Sequence, residues 1–268
     1  MAQTILITGA STGIGKAAAE LFFERGWNVV ATMRSPKSDR NDPRWLCTRL
    51  DVTDPASIKS ALDQAIAKFG KIDVLVNNAG YGLVGTFESM TEEKIQRQFE
   101  TNVFGLMRVS RAVLPHFRKN KGGTLINVGS MGGRTTFPFY SVYHATKWAV
   151  DGFSESLSFE LEAAGIKVKI IEPGAIKTDF YDRSADFTHD RSLAEYNQVV
   201  DKAIPRMNKV GAKGAPPKTV AEAIYAAATD GSSKLRYVVG ADAKSLLTVR
   251  ALIPNTAYRN MVKGQLFK

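Results

Sequence analysis

Cysteine is almost missing from this 268-residue chain, with Cys47 as its single copy. An internal disulfide is therefore excluded, and the three histidines form no ligand-spaced cluster with it, so no metal site is expected. That usage suits a reducing cytosol, and a cytoplasmic protein is expected. Long apolar runs are missing too. No stretch approaches the ~20 residues a membrane span needs. The opening residues run from Met1 straight into Ile5-Leu6-Ile7 without a basic flank or a long apolar core, so neither a signal peptide nor stable membrane insertion is expected. Acidic residues are the scarcer charge, 26 against 36 Lys and Arg, for a net charge of +10. The basic residues are scattered and no nucleic-acid motif accompanies them. The excess reads as a solvated surface or as steering of acidic ligands, and no nucleic-acid partner is expected.

What is present is enough apolar sequence, 44%, for a sizeable core. Short β-branched runs alternate with helical stretches, the pattern of a parallel sheet covered on both faces by helices. Strands are expected at 4–7, 28–32, 74–76, 125–128, 168–171 and 236–239, with another ending before Asp51. Helices are expected near 16–25, 55–69, 91–117, 142–164 and 219–229. Asp54-Pro55 supplies an N-cap and a first-turn proline, and Gly70 a stop signal. Between about 178 and 217 the alternation fails, and a basic tail follows 239. The fold class expected is α/β: a three-layer, doubly wound (Rossmann) parallel sheet in one domain over residues 1–268, carrying a mobile insertion at 179–217.

The first strand runs into Thr8-Gly9-Ala10-Ser11-Thr12-Gly13-Ile14-Gly15. Glycines let backbone turn sharply and approach a pyrophosphate, which sits on the free N–H groups of the following helix. Gly9, Ser11, Thr12, Gly13, Ile14 and Gly15 are the candidate contacts. A plain strand-to-helix turn would look similar, but the position between first strand and first helix is the context phosphate binding requires. At the end of the second strand an acid would hold a ribose 2′-hydroxyl and repel a 2′-phosphate. Here Arg34-Ser35 stands instead, and the planar arginine fork suits a phosphate. NADP(H) is therefore expected ahead of NAD(H), the alternative being an ordinary surface arginine. Asp51, followed by Val52, either hydrogen-bonds the adenine or simply forms a turn.

Tyr143 and Lys147 are four residues apart at the start of a predicted helix, on one face of it. Free tyrosine titrates near ~10. An ammonium one turn away stabilises tyrosinate, so the phenol can exchange a proton with an alcohol or carbonyl near neutral pH. Chance produces such pairs often. Ser130, thirteen residues earlier at a strand end, where ligands sit in these sheets, changes the odds. Its hydroxyl either holds the substrate oxygen or solvates the turn beside Gly129 and Gly132.

Together these segments resemble the short-chain dehydrogenase/reductase family in its single-domain form. Thr8–Gly15, Asn77-Asn78-Ala79-Gly80, Ser130, Tyr143-xxx-Lys147 and Pro173-Gly174 fall in the family's order over most of residues 4–180. The resemblance implies that Ser130, Tyr143 and Lys147 are catalytic. It also implies that Asn102, otherwise an ordinary helical polar residue, holds a relay water through its backbone. Lys147 would also bind the nicotinamide ribose. Asn78, Ala79 and Gly80 would line the adenosine side, and Pro173, Gly174, Ile176 and Thr178 the nicotinamide. Glu172 beside them reads as a neutral variation. One departure counts: Thr12 stands where many NADP-using members carry a basic residue, so the NADP expectation rests on Arg34 alone. The string Val29–Arg34 is similar to members acting on steroids or retinoids.

The insertion at 179–217 corresponds to the family's substrate lid. Phe180, Tyr181, Phe187 and Tyr196 either cap an apolar pocket or pack the insert, while Phe137, Phe139 and Tyr140 lie between Ser130 and Tyr143. Phe137, Tyr140 and Phe180 are the candidate substrate contacts, and an aromatic-lined site suits an apolar alcohol, ketone or aldehyde. Small residues at Ala145, Ala149, Gly152 and Ser156 stripe the 142–164 helix, for core packing or for a second subunit. The resemblance implies a homodimer, possibly a tetramer. The function expected is hydride transfer between NADP(H) and a small-molecule alcohol/carbonyl pair. A non-catalytic NADP(H)-binding sensor would normally lack Tyr143 or Lys147. A lyase or epimerase holding NAD tightly fits Arg34 poorly.

Overall fold

The computed structural model describes residues 2–37, 40–177 and 185–267. Its strands are β1 (Thr4–Ile7), β2 (Asn28–Met33), β3 (Trp45–Arg49), β4 (Val74–Asn77), β5 (Gly82–Gly85), β6 (Gly123–Val128), β7 (Ile166–Pro173), β8 (Ala185–Thr188) and β9 (Arg236–Val239). Its helices are α1 (Gly13–Glu24), α2 (Pro55–Phe69), α3 (Glu92–Phe99), α4 (Leu106–Lys119), α5 (Ser141–Glu162), α6 (Ala194–Ala212), α7 (Pro217–Thr229), α8 (Ala241–Leu252) and α9 (Asn255–Leu266). Seven strands pair in the order β3-β2-β1-β4-β6-β7-β9, all parallel, and β5 pairs with β8 apart from them. This is the doubly wound three-layer sheet expected from the sequence.

Side chains alternate across each strand, so one sheet buries two cores. On one face Ile5, Ile7 and Val29 pack with Ala18 and Phe22 of α1 and with Val220 and Ile224 of α7. On the other, Leu6, Val30, Leu75 and Leu125 pack with Ile58 and Leu62 of α2, Val109 and Val113 of α4, and Leu161 of α5. The start of α2 follows its sequence signals. Asp54 accepts from the Ala56 and Ser57 N–H groups, Pro55 opens the helix, and Gly70 closes it at φ +76°. Among the described residues no helix is long and apolar enough to cross a membrane.

The structure corrects four expectations. The first helix starts at Gly13, not Lys16, because the glycine turn feeds directly into it. The helix expected over 91–117 is interrupted by a π-helical stretch, Glu100–Gly105, between α3 and α4. Gly105 is required there, since a Cβ would lie 2.6 Å from Val52 Cγ2. The irregular insertion contains β8 and the 19-residue α6, which Pro205 does not break. The basic tail is folded into α8 and α9, with Tyr258 and Val262 buried.

Candidate active site

A cavity of about 1280 Å³ opens along the carboxyl ends of β1, β2, β3, β4, β6 and β7. This is the edge where parallel sheets bind ligands, and the order reverses there between β1 and β4. Gly9 and Gly13 turn at φ +67° and +56°. Asn78 braces that turn from beneath, its Nδ2 donating to the Thr8 and Gly9 carbonyls at 2.9 and 3.1 Å. Gly15 is buried under the turn rather than on the cavity wall. A Cβ there would lie 2.5 Å from Asn78 Nδ2, so its role is to let the loop close. Gly9, Ser11, Thr12, Gly13 and Ile14 line the cavity. Thr12, at the N-cap of α1, makes no side-chain cap, so no protein oxygen from the cap residue competes for the first N–H groups of that helix. The cradle therefore fits a pyrophosphate, held by turn backbone and the start of α1.

Further along, Arg34 is exposed and lines the cavity, while the neighbouring Ser35 is exposed but off its wall. Asp51 and Val52 line it as well. Asp51 Oδ1 accepts from Thr53 N and Oγ1 at 2.9 and 2.8 Å, which is the turn-forming alternative in operation. Ala79 and Gly80 complete this side with Asn78.

At the other end the cavity wall brings together Ser130, Tyr143 and Lys147. Lys147 Nζ donates to the Val128 carbonyl at 2.9 Å and lies 5.8 Å from the Tyr143 ring centroid. Burial pulls its pKa from the ordinary 10.5 to about 8, because the charged form loses hydration. Ser130 Oγ accepts from Gly132 N at 3.0 Å, so it does solvate the glycine-rich turn. The hydroxyl proton is left out of that bond. Phe137 and Tyr140 line the same region, and the Tyr140 ring sits edge-on to Tyr143 with centroids 5.9 Å apart. Pro173, Gly174 and Ile176 face the cavity from the end of β7. Thr178, Phe180 and Tyr181 lie outside the described residues. Asn102 is buried in the π-helical turn, its amide gripping both the N–H and the carbonyl of Tyr81, so its side chain is off the wall. Such π-turns concentrate at functional sites.

Several contributors went unseen in the sequence. His144, beside Tyr143, accepts from Phe137 N at Nε2 (3.0 Å) and so donates from Nδ1 to the Gly132 carbonyl (2.9 Å). Burial lowers its pKa to about 4, so it is a neutral brace across the loop that carries Ser130. Glu172, read as neutral variation, is fully buried and paired with Arg134 at 3.3 Å, and burial pushes its pKa up. Met207 and Val210 of α6, Leu246 and Val249 of α8, and Met261 and Leu266 of α9 form an apolar wall. None of these helices was expected from the sequence, which read an irregular insertion and a basic tail here. Asp186 of β8 also lines the cavity, tied to Lys94 at 2.8 Å and Arg97 at 2.5 Å.

The sequence pattern of the short chain dehydrogenase family matches residues 3–188, and the chain belongs to that family. It is 38% identical over 275 residues to the uncharacterized oxidoreductase YusZ of Bacillus subtilis, with 98% of each chain covered. It is also similar to the structure of a short-chain dehydrogenase from Streptomyces avermitilis: TM-score 0.81, 35% identity, 98% of this chain and 99% of that one. A further solved neighbour is ElxO with NADP bound, with TM-score 0.76, 26% identity, 91% of this chain and all of that one. The protein is an oxidoreductase of this family.

Proposed function

We propose that the protein transfers hydride between NADP(H) and an apolar alcohol/carbonyl substrate, with Tyr143 as general acid/base. The observation that carries this is the convergence of Ser130, Tyr143 and Lys147 on one cavity that also holds the glycine cradle. A bound nicotinamide supplies or accepts the hydride. Tyr143 Oη gives its proton to a carbonyl oxygen in reduction or takes one from an alcohol in oxidation. The Lys147 ammonium stabilises the phenolate left behind, and Ser130 Oγ donates to the substrate oxygen to hold it beside Tyr143. Asn102 marks the route by which the proton is replaced, through the backbone of its π-helical turn. The apolar wall of α6, α8 and α9, with Phe137 and Tyr140, excludes water and favours a ketone, aldehyde or alcohol with an apolar body. Arg34, exposed on the cavity wall, is assigned to the 2′-phosphate of NADP(H), the cofactor form bound in the solved neighbour ElxO. The lone Cys47 fits a reducing cytosol, and the working assembly we assign is a homodimer.

The test is turnover of NADPH against a panel of apolar carbonyls. Tyr143→Phe should cut kcat by at least about a hundredfold, the scale of general acid catalysis, with NADPH affinity retained. Binding of NADPH without turnover across the panel would favour a sensor instead.

A further inference from the structure

We propose that Asp242, at the start of α8, is a positioning residue for the nicotinamide half of the cofactor. The inference rests on the NADP(H) reading above. The segment Pro173–Lys177 leaves β7 and borders the redox end of the cavity. Its backbone is fastened from three directions. Gly174 N donates to the Val239 carbonyl at the end of β9 at 2.9 Å. The Ala175 carbonyl and Lys177 N exchange bonds with Ala215 at 3.0 and 2.9 Å. The third fastening is the one a side chain supplies: Ala175 N donates to Asp242 Oδ2 at 2.7 Å.

The surrounding backbone is shaped for that carboxylate. A Cβ on Gly174 would fall 2.6 Å from Asp242 Cγ, so with glycine there the carboxylate sits directly against the strand end, and a larger residue would displace it. Gly240, two residues before Asp242, stands at φ +102°, a conformation that other residues rarely adopt, and a Cβ there would collide with Oδ1. Asp242 also lies in the first turn of α8, where the helix dipole favours an anion. The residue itself lines the cavity and is exposed to it. The arrangement links α8, which lies beyond the stretch matched by the family pattern, to the strand end that faces the reacting ring.

The role is confined to one half of the ligand, and that makes it separable from folding. The pyrophosphate turn and Arg34 follow β1 and β2, while Asp242 follows β9 at the opposite edge of the sheet. We therefore compare NADPH with 2′,5′-ADP, which has the phosphorylated adenosine half and no nicotinamide, by fluorescence titration. Asp242→Ala should weaken NADPH about fivefold, the worth of one ordinary hydrogen bond, and leave 2′,5′-ADP unchanged. Asp242→Asn, which keeps an acceptor for Ala175 N, should restore NADPH to within about twofold of wild type. If Asp242→Ala does not fold, Asp242→Ser, too short to span the contact, carries the same expectation. Equal loss for both ligands, no loss for either, or an Asn variant as weak as Ala would overturn the proposal. Wild-type protein that binds neither ligand would instead sink the cofactor reading itself.

Discussion

Histidine ordinarily titrates near ~6.5, yet His144 stays neutral until about pH 4 because burial removes the hydration its charged form needs. Above about pH 6.5 the imidazole is neutral both folded and unfolded, and costs nothing. Below it the unfolded chain takes up a proton that the folded chain refuses. Stability is therefore lost as pH falls from about 6.5 to about 4, by up to on the order of 3 kcal/mol. Thermal melts across that window should drop more steeply for wild type than for His144→Gln, and parallel slopes would refute the assignment. Arg34 makes a second residue-scale case. Replacing it with Asp removes the guanidinium fork and puts a carboxylate where a 2′-phosphate would sit. The ratio of NADH to NADPH dissociation constants should fall at least about tenfold, the value of one charge-assisted hydrogen bond. An unchanged ratio would leave the phosphate without its partner.

Between elements, the β5–β8 pair holds Ala185 and Asp186 at the cavity wall. Gly85 of β5 stands at φ +138°, and a Cβ there would run into the Thr188 carbonyl. Gly85→Ala must therefore push β8 away and loosen the Asp186 ties to Lys94 and Arg97. We expect faster proteolytic nicking around residues 185–190 and a substrate KM raised several-fold, on the scale of ~1–3 kcal/mol of backbone strain, with NADPH affinity unchanged. A variant cut no faster than wild type would show that the pairing does not depend on the glycine. Elements of this kind mark where sequence reading stops. Placement written in adjacent residues was legible: the Gly9–Ile14 turn, Tyr143 with Lys147 on one cavity wall, and the Asp54-Pro55 cap all depend on local spacing. Much of the cavity's apolar wall was not. Leu246, Val249 and Met261 lie in what read as a basic tail, and which cavity their faces cover is a long-range fact. Pro205 and Gly211 disguised α6, because their local cost is outweighed by the burial of Val200, Ala203 and Met207. The π-turn at 100–105 was invisible too, since a shift by one hydrogen-bond step leaves little trace in residue pattern.

At the scale of the molecule, the small-residue stripe on α5 can be tested as a subunit contact. Ala145, Gly152 and Ser156 are exposed, and a Cβ on Gly152 would meet nothing within 4 Å. Core packing does not explain a stripe that faces outward. Trp148 on the same helix is 49% exposed, Phe159 72%, and Phe104 in the turn before α4 46%. Large apolar side chains left open beside small ones make a surface that a second helix can approach closely, and covering it recovers the hydrophobic energy now lost to water. A two-fold axis would let α5 meet its own copy, the commonest closed symmetry. Light scattering should then report twice 29.3 kDa for wild type, and Trp148→Asp, which plants a charge in that face, should shift the population to a single chain. Ser130, Tyr143 and Lys147 line the cavity and not this stripe, so the variant should keep NADPH binding. A wild type that runs as one chain, or a variant whose mass does not change, would leave these side chains exposed for some other reason.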